Sequence, residues 1–466
     1  VTLSERTRKV PLVRVLPGRL ETGKGSLSIQ VIAVGPTSLS CSGEAVPAGT
    51  LLTGSPARLV LEGPRGPFEL HGTVVETKDA AAPDLQAQPP AKQTEKQKIY
   101  ELDVSEQGSR AKLHDLLAAL RKEQHIDLCL SRDVEAHSRS AGFEDVFLRP
   151  RALPELSWAG LDTRTKFLGR SFALPLMITG MTGGVARAGM INLRLARAAA
   201  HHKIPMGVGS QRLALENPEH AGIFAIRDQV PDVFLIANIG IAQLGRSISV
   251  EHCREAVRMI GAEALAIHVN VLQEAIQVEG DLDFTGRLAA IARVVESVNV
   301  PVIVKEVGCG MDVATARALK SVGVKALDVG GVGGTSWGWI EGLRSGDPVR
   351  SRIGEAFRDW GLPTAVALRA LTESFADLEV SATGGIRDGL TVAKAVALGA
   401  CTVGIGLPLF RAALASEQGP MEELEFFSRG LRTAMLCSGS QTLNDLKARL
   451  STGSHFLAQL DLAREC

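Results

Sequence analysis

Tyrosine is almost missing from this chain: of 466 residues, Tyr100 is the only one. A tyrosine acid or base is therefore excluded from everything after the first hundred residues. An excess of charge of either sign is missing too. Lys and Arg together number 51, and so do Asp and Glu, so no global field draws the chain to nucleic acid or a membrane surface. Any anionic ligand has to be held by a local cationic site. Cysteine is present but scattered (Cys41, Cys129, Cys253, Cys309, Cys401, Cys437 and Cys466), with no CxxC pair. That spacing argues against structural zinc or a disulfide scaffold and fits reduced thiols in a cytoplasmic protein. The opening VTLSERTRKVPLVRV lacks a signal peptide's apolar core, and no run reaches about 18 apolar residues. We expect no membrane partner and no nucleic acid.

Two textures divide what is there, as the length leads one to expect. Residues 1–120 are β-rich. SLSIQVIAVG, ARLVLEG, FELHGTVVET and KIYELDV are short β-branched runs between Gly, Pro and Ser turns, and RAKLHDLLAALRK then has leucines at helical spacing. Residues 78–98 are poor in apolar side chains and read as a flexible excursion. Residues 121–466 contain eight buried-strand candidates: ALPLMIT, IPMGV, VFLIAN, ALAIHVN, VPVIVKE, KALDVGG, LEVSATGG and CTVGIG. Amphipathic helices separate most of them. Eight such repeats predict a parallel sheet covered by helices, most simply an α/β TIM barrel, with an open doubly wound sheet as the alternative.

Barrels of that kind carry their chemistry on the loops after the strands. Those ends read GMTGG, GSQR, NIG, HVNVLQE, KEVGCG, GGVGGTSW, GGIRDG and GLP. Gly384, Gly385 and Gly406, after the last two strands, suit a phosphate cradle or simply tight turns. Lys305 ends an apolar run, where an ammonium is costly without an anion or acceptors. A flavin's N1 and O2 would meet that need, and so would a buried ion pair with Asp328. His268 and Asn270 alternate onto one face of their strand, with Gln273 and Glu274 a turn later. Glu274 suits a divalent cation completed by substrate phosphate, or else a helix cap or salt bridge.

From residue 121 to about 450 the chain resembles the type 2 isopentenyl diphosphate isomerases. LRKEQHI, ALPEL, MTGG, MGVGSQR, HVNVLQE, VIVKEVG, GGTSW, DWGLPTA, GGIRDGL and LCSGSQTLNDL occur in the family's order. The resemblance implies a TIM barrel that converts isopentenyl diphosphate to dimethylallyl diphosphate in isoprenoid biosynthesis. It implies FMN used in its reduced form, NADPH or NADH as reductant, Mg2+, and a homo-oligomer of four or eight barrels. Carried over by motif, Gly180, Met181, Thr182, Ser210, Asn238, Lys305, Thr335, Gly384, Gly385, Gly406 and Leu407 would line the flavin. Arg121, Lys122, Ser210, Gln211, Arg212, His268, Asn270 and Gln273 would surround the substrate, Gln273 would be catalytic, and Glu274 would hold the metal. Two departures stand out: Pro150 replaces the histidine usual before ALPE, and Val271 replaces the proline usual inside HVNVLQE.

The first 120 residues resemble a PilZ domain, a six-stranded β-barrel that often binds cyclic di-GMP. Gly35, Thr37 and Ser40 stand in its second signature without the carboxylate or amide, which argues against dinucleotide binding. Arg6, Arg8 and Lys9 suit a solvated basic start or a contact to an anion. Two other functions compete with the isomerase. One is an FMN barrel oxidoreductase acting on α-hydroxy acids, whose late-strand histidine is absent from GGVGGTSWGW and SATGGIRDG. The other is an inactive barrel kept for docking or regulation.

Overall fold

The computed structural model describes residues 10–22, 25–34, 38–44, 56–63, 66–79, 97–103 and 107–465. The middle of the expected flexible excursion and the basic start therefore lie outside the described residues. Two compact units emerge: Val1–Asp127 with Leu343–Ser351, and Leu128–Gly342 with Arg352–Cys466.

In the first unit six strands close an antiparallel barrel in the order β1-β2-β3-β6-β5-β4. They are β1 (Val10–Thr22), β2 (Gly25–Val34), β3 (Ser38–Glu44), β4 (Pro56–Gly63), β5 (Gly66–Asp79) and β6 (Gln97–Asp103). Closure by β1 on β4 removes both sheet edges. Leu59 and Leu70, register partners on β4 and β5, are buried. Helix α1 (Gln107–Ser131) follows and runs on well past the leucine-rich stretch, so Arg121 and Lys122 sit inside it rather than after it.

The second unit is a closed parallel barrel of eight strands in sequence order, the TIM barrel the repeats predict. Its staves are β10 (Leu176–Ile178), β11 (Met206–Gly207), β12 (Leu235–Gly240), β13 (Ala264–Val269), β14 (Val302–Glu306), β15 (Ala326–Asp328), β16 (Glu379–Thr383) and β17 (Thr402–Ile405). Seven lie within the apolar runs, and β12 overruns VFLIAN by Ile239 and Gly240. The site is built on helices α2 (Ala186–His202), α3 (Arg212–Glu216), α4 (Val250–Ile260), α5 (Val271–Ile276), α6 (Arg287–Ser297), α7 (Val313–Ser321), α8 (Trp337–Arg344), α9 (Pro348–Ala356), α10 (Thr364–Ser374), α11 (Gly389–Ala397) and α12 (Leu407–Ala415). Short strand β7 (Val146–Leu148) pairs with β18 (Leu450–Thr452), tying the start of this unit to its end. Among the described residues, no helix is long and apolar enough to cross a membrane.

What fills the barrel decides which end is open. A hairpin of β8 (Thr165–Phe167) and β9 (Arg170–Phe172) turns through Leu168 and Gly169, both at positive φ. Its Phe167 and Phe172 pack with Met177, Ile236, Ala264, Ala266, Ile303 and Ala326, and Phe172 meets Phe234 edge-on at 5.3 Å. These staves contribute alternate residues to that cluster, so their inward face is known. The same alternation then carries Asn238, His268, Lys305 and Asp328 inward at the far, C-terminal end. The lower end is stoppered with hydrocarbon and the upper end is polar.

Phe167 is fully buried. We expect Phe167→Ala to lower the unfolding free energy by about 3–5 kcal/mol, measured by urea denaturation.

Candidate active site

The polar end is assembled across consecutive staves. Register pairs Gly240 with His268, His268 with Lys305, and Lys305 with Asp328. Glycine on a neighbouring stave makes room for the larger groups. A Cβ on Gly240 would stand 3.0 Å from His268 Nε2, and one on Gly404 would stand 2.1 Å from Thr383 Oγ1. The side chains therefore lean across the mouth instead of standing upright.

Asn238 links the two halves of the layer. Its Nδ2 donates to Val208 O at 2.9 Å, which turns Oδ1 towards His268 Nδ1, 2.8 Å away. His268 therefore carries its proton on Nδ1. Lys305 Nζ donates to Glu306 O at 2.8 Å, and among the described residues no ion pair joins it to Asp328. The ammonium is thus not neutralised by direct contact. Beside it, Glu306 points outward from β14, and its Oε2 accepts the N–H groups of Val307, Gly308 and Cys309 at 2.5–2.6 Å. Burial pushes the Glu306 carboxyl up to about 7, although those donors and Lys305 all favour its charge.

HVNVLQE makes the turn from stave to helix. Strand β13 ends at Val269, Asn270 caps α5, and Val271 takes the first helical position. The family's proline suits that position equally well, because an N–H there has no partner within the helix. Asn270 Nδ2 donates to Gln273 Oε1 at 3.2 Å and to Glu274 Oε1 at 3.0 Å, while Asn270 Oδ1 is buried without a partner. Glu274 is 6% exposed, and its Oε2 accepts Asp281 N at 2.9 Å. Among the described residues it forms no salt bridge, and it braces the loop that follows α5. Gly280 lets that loop close, since a Cβ there would lie 1.8 Å from Glu274 O.

Gln273 Nε2 donates to Glu341 Oε1 at 3.0 Å. Glu341 is fully buried in α8, a position that no motif in the sequence singles out. Its signal was weak but readable: one acid inside the otherwise uncharged stretch TSWGWIEG. Next to Gln273 lies a small cleft of about 10 Å3, lined by polar groups (Asn270, Gln273, Glu306 and Arg358) as well as by Leu272 and Trp337.

One expected substrate residue stands elsewhere. Gln211 is fully buried; its Nε2 donates to Ala256 O at 2.9 Å and its Oε1 accepts Asn238 N at 2.9 Å. Its amide faces α4, outside the barrel, and fixes β12 to that helix; it does not reach the mouth. Arg212 pairs with Glu216 at 2.7 Å within α3. Ser210 is half-buried on the turn before it. Arg121 and Lys122 are half-buried on α1, in the first unit. Pro150 is exposed, between Arg149 and Arg151, whose N–H groups donate to Arg449 O and Cys437 O. The histidine-to-proline departure thus falls in a segment pinned on both sides.

The residues proposed for a flavin do converge on the mouth. Thr182 Oγ1 is buried with no partner, beside half-buried Gly180 and Met181. Gly180 packs so closely on the next loop that a Cβ would lie 2.0 Å from Val208 O. Gly384 and Gly385 adopt φ of 114° and 70°, a turn only glycine makes easily. Gly406 caps α12 and Leu407 begins it, so an anion there would meet helix-start N–H groups. Thr335 is bridged to Glu135 and lies beside the Gly384–Gly385 turn, since a Cβ on Gly334 would stand 2.5 Å from Gly385 N. Glu135 also pairs with Arg387 of the GGIRDG turn. A lysine, an unpartnered hydroxyl and glycine turns at two consecutive stave ends fit FMN. For a metal the donors are fewer. No group of three or more His, Cys, Asp or Glu is placed to hold one among the described residues. Glu274 and the open Asn270 Oδ1 fit Mg2+ only where water and substrate phosphate complete its shell.

Comparison with known proteins agrees with this geometry. Residues 121–221 and 249–452 match the FMN-dependent dehydrogenase family. A mutant flavocytochrome b2 with benzoylformate superposes with a TM-score of 0.50 at 18% identity, covering 68% of this chain and 79% of that one, which speaks to the fold alone. The class is therefore an FMN-dependent TIM barrel. Closer relatives narrow it. The isopentenyl-diphosphate delta-isomerase of a Nostoc species is 42% identical over 70% of this chain and 93% of its own length. That of a Synechococcus species is 45% identical over 69% and 92%. The chain belongs to the FMN-dependent, type 2 isopentenyl-diphosphate delta-isomerase family.

Glu306 supplies a pH test. Its carboxyl is raised from the ordinary 4.5 to about 7, so the protonated form stabilises the fold. That contribution is complete below pH 4.5 and is lost as pH rises through 7. We expect the urea midpoint to fall across this window, and Glu306→Gln, which keeps an acceptor for the three N–H groups, to remove that part of the fall.

Proposed function

We propose that this protein interconverts isopentenyl diphosphate and dimethylallyl diphosphate. The observation that carries the reading is the Gln273–Glu341 pair: a side-chain amide at the mouth, tied to a buried acid and bordering a small cleft lined in part by Leu272, Trp337 and Trp360. The isomerisation adds a proton at one carbon and removes one at another, with no net redox change. A barrel with no tyrosine has few neutral acids for this. Reduced FMN, kept so by NADPH or NADH, would supply an N5 acid–base centre when bound. Lys305 would hold the ring's N1–O2 edge, Thr182 would offer its open hydroxyl, and the Gly384–Gly385 turn with Gly406 and Leu407 would receive the phosphate. Gln273 would orient the alkene's proton transfer, and Glu341 would fix that amide and hold a proton behind it.

The diphosphate needs cations. His268, Asn270 and Arg212 serve from the barrel, with Glu274 holding Mg2+ against the phosphate oxygens. By resemblance to the family, Arg121 and Lys122 on α1 are further cations for the substrate. Because α1 begins beside the six-stranded barrel, we assign that domain, a PilZ-like module without a dinucleotide signature, the role of positioning the Arg-Lys pair. Deletion of residues 1–115 should then raise the KM for isopentenyl diphosphate; an unchanged KM and turnover would sink the idea. Large apolar side chains exposed on the second unit, Phe147, Trp158 and Phe426 among them, support a homo-oligomer. Buried, unpaired Cys129 and Cys253 support a cytoplasmic setting.

The direct test is an anaerobic assay with isopentenyl diphosphate, FMN, NADPH and Mg2+, with product followed by mass spectrometry. Dimethylallyl diphosphate should form only with FMN present. Gln273→Ala and Glu341→Gln should each lower kcat by about 10²–10⁴-fold while FMN binding persists. Bound flavin without product would move the function to another substrate.

A further inference from the structure

Asp328 is an enclosed acid, 1% exposed, for which the proposed chemistry has no use. It closes β15 on the inward face, as register partner of Lys305. Both carboxylate oxygens are fixed: Thr383 Oγ1 donates to Oδ2 at 2.8 Å, and Gly330 N approaches Oδ1 at 3.4 Å. Thr383 reaches that far because β17 carries Gly404 opposite it, where a Cβ would stand 2.1 Å from Thr383 Oγ1. Three consecutive staves thus hold one carboxylate in place. A group required only to fill space would need none of this.

The two buried acids near Lys305 differ in how their charge is borne. Glu306 has three short backbone donors. Asp328 has the hydroxyl and N–H of Thr383 and one long N–H from Gly330, and among the influences that favour its charge Lys305 is the largest. Burial pushes the Asp328 carboxyl up, while Lys305 acts the other way. The dependence is mutual: field from the ammonium that sustains Asp328 is field partly cancelled for any other anion in the mouth.

We propose that Asp328 is a positioning residue that divides the charge of Lys305 and so sets the reduction potential of the flavin held in the mouth. The inference rests on the FMN reading above. A lysine alone would favour the anionic reduced ring strongly; a fixed carboxylate on its other side weakens that preference. The reduced ring stays electron-rich and basic, which a ring that must give up a proton and take it back requires.

The experiment is an anaerobic reductive titration of bound FMN against a reference dye, on the full chain, with the reduced flavin's visible spectrum recorded alongside. In Asp328→Asn the lysine acts undivided. Affinity for reduced relative to oxidised FMN should rise at least tenfold, which for a two-electron couple raises the potential by about 30 mV. The reduced spectrum should move towards the anionic form. Thr383→Val, which removes the carboxylate's best donor, should shift both in the same direction by less, and it carries the test if the asparagine variant does not fold. A variant that binds FMN with potential and spectrum unchanged, or shifted the opposite way, overturns the inference and leaves the flavin reading intact. A wild-type chain that takes up no FMN overturns the flavin reading, and this inference with it.

Discussion

An ammonium at the mouth of a hydrocarbon-lined barrel is the constraint from which much else follows. Lys305 stands one step above Ile303, itself packed against the stopper of the lower end. Charge in such a place is costly unless acceptors and counter-charges are fixed around it. The structure answers with a backbone carbonyl in contact, two enclosed carboxyls within reach of its field, and a histidine on the neighbouring stave. Glycines then open the room that this crowd of polar groups needs, at 240 and 404 among the staves.

The architecture was legible almost completely. Eight apolar runs became eight staves because a strand covered on both faces must be apolar along its whole length, and that pattern survives without any alignment. The six-stranded closure was less so: β1 and β3 contain Arg14, Arg19, Ser40 and Ser42, and only the resemblance to a known module implied them. Residue roles separated by how much each depends on direction. His268 and Lys305 stand at the C-terminal end of their staves, where the period of two in a strand fixes which way they point.

Gln211 and Glu341 show where that rule stops. Gln211 lies on the turn after β11 and Glu341 well inside α8, where the alternation of a strand no longer applies. Gln211 sits in a polar cluster and yet turns outward to a carbonyl of α4. Glu341 sits in an otherwise largely apolar helix and yet meets the Gln273 amide. Polarity of the neighbours misled in both cases; only the direction of the helix start separates them. The ion pair weighed for Lys305 and Asp328 failed for a related reason. Register put them side by side, but Thr383, from a third stave, claimed the carboxylate.

The hairpin that stoppers the barrel has a consequence for traffic. With Phe167 and Phe172 closing the lower end, the way in among the described residues is the polar upper end. A flavin seated there would meet its reductant and its substrate from the same side. The two would have to take turns at one threshold, and every recharging visit would be time withheld from turnover. A ring left unconsumed by the reaction it serves would seldom need such a visit, which suits a room entered from above.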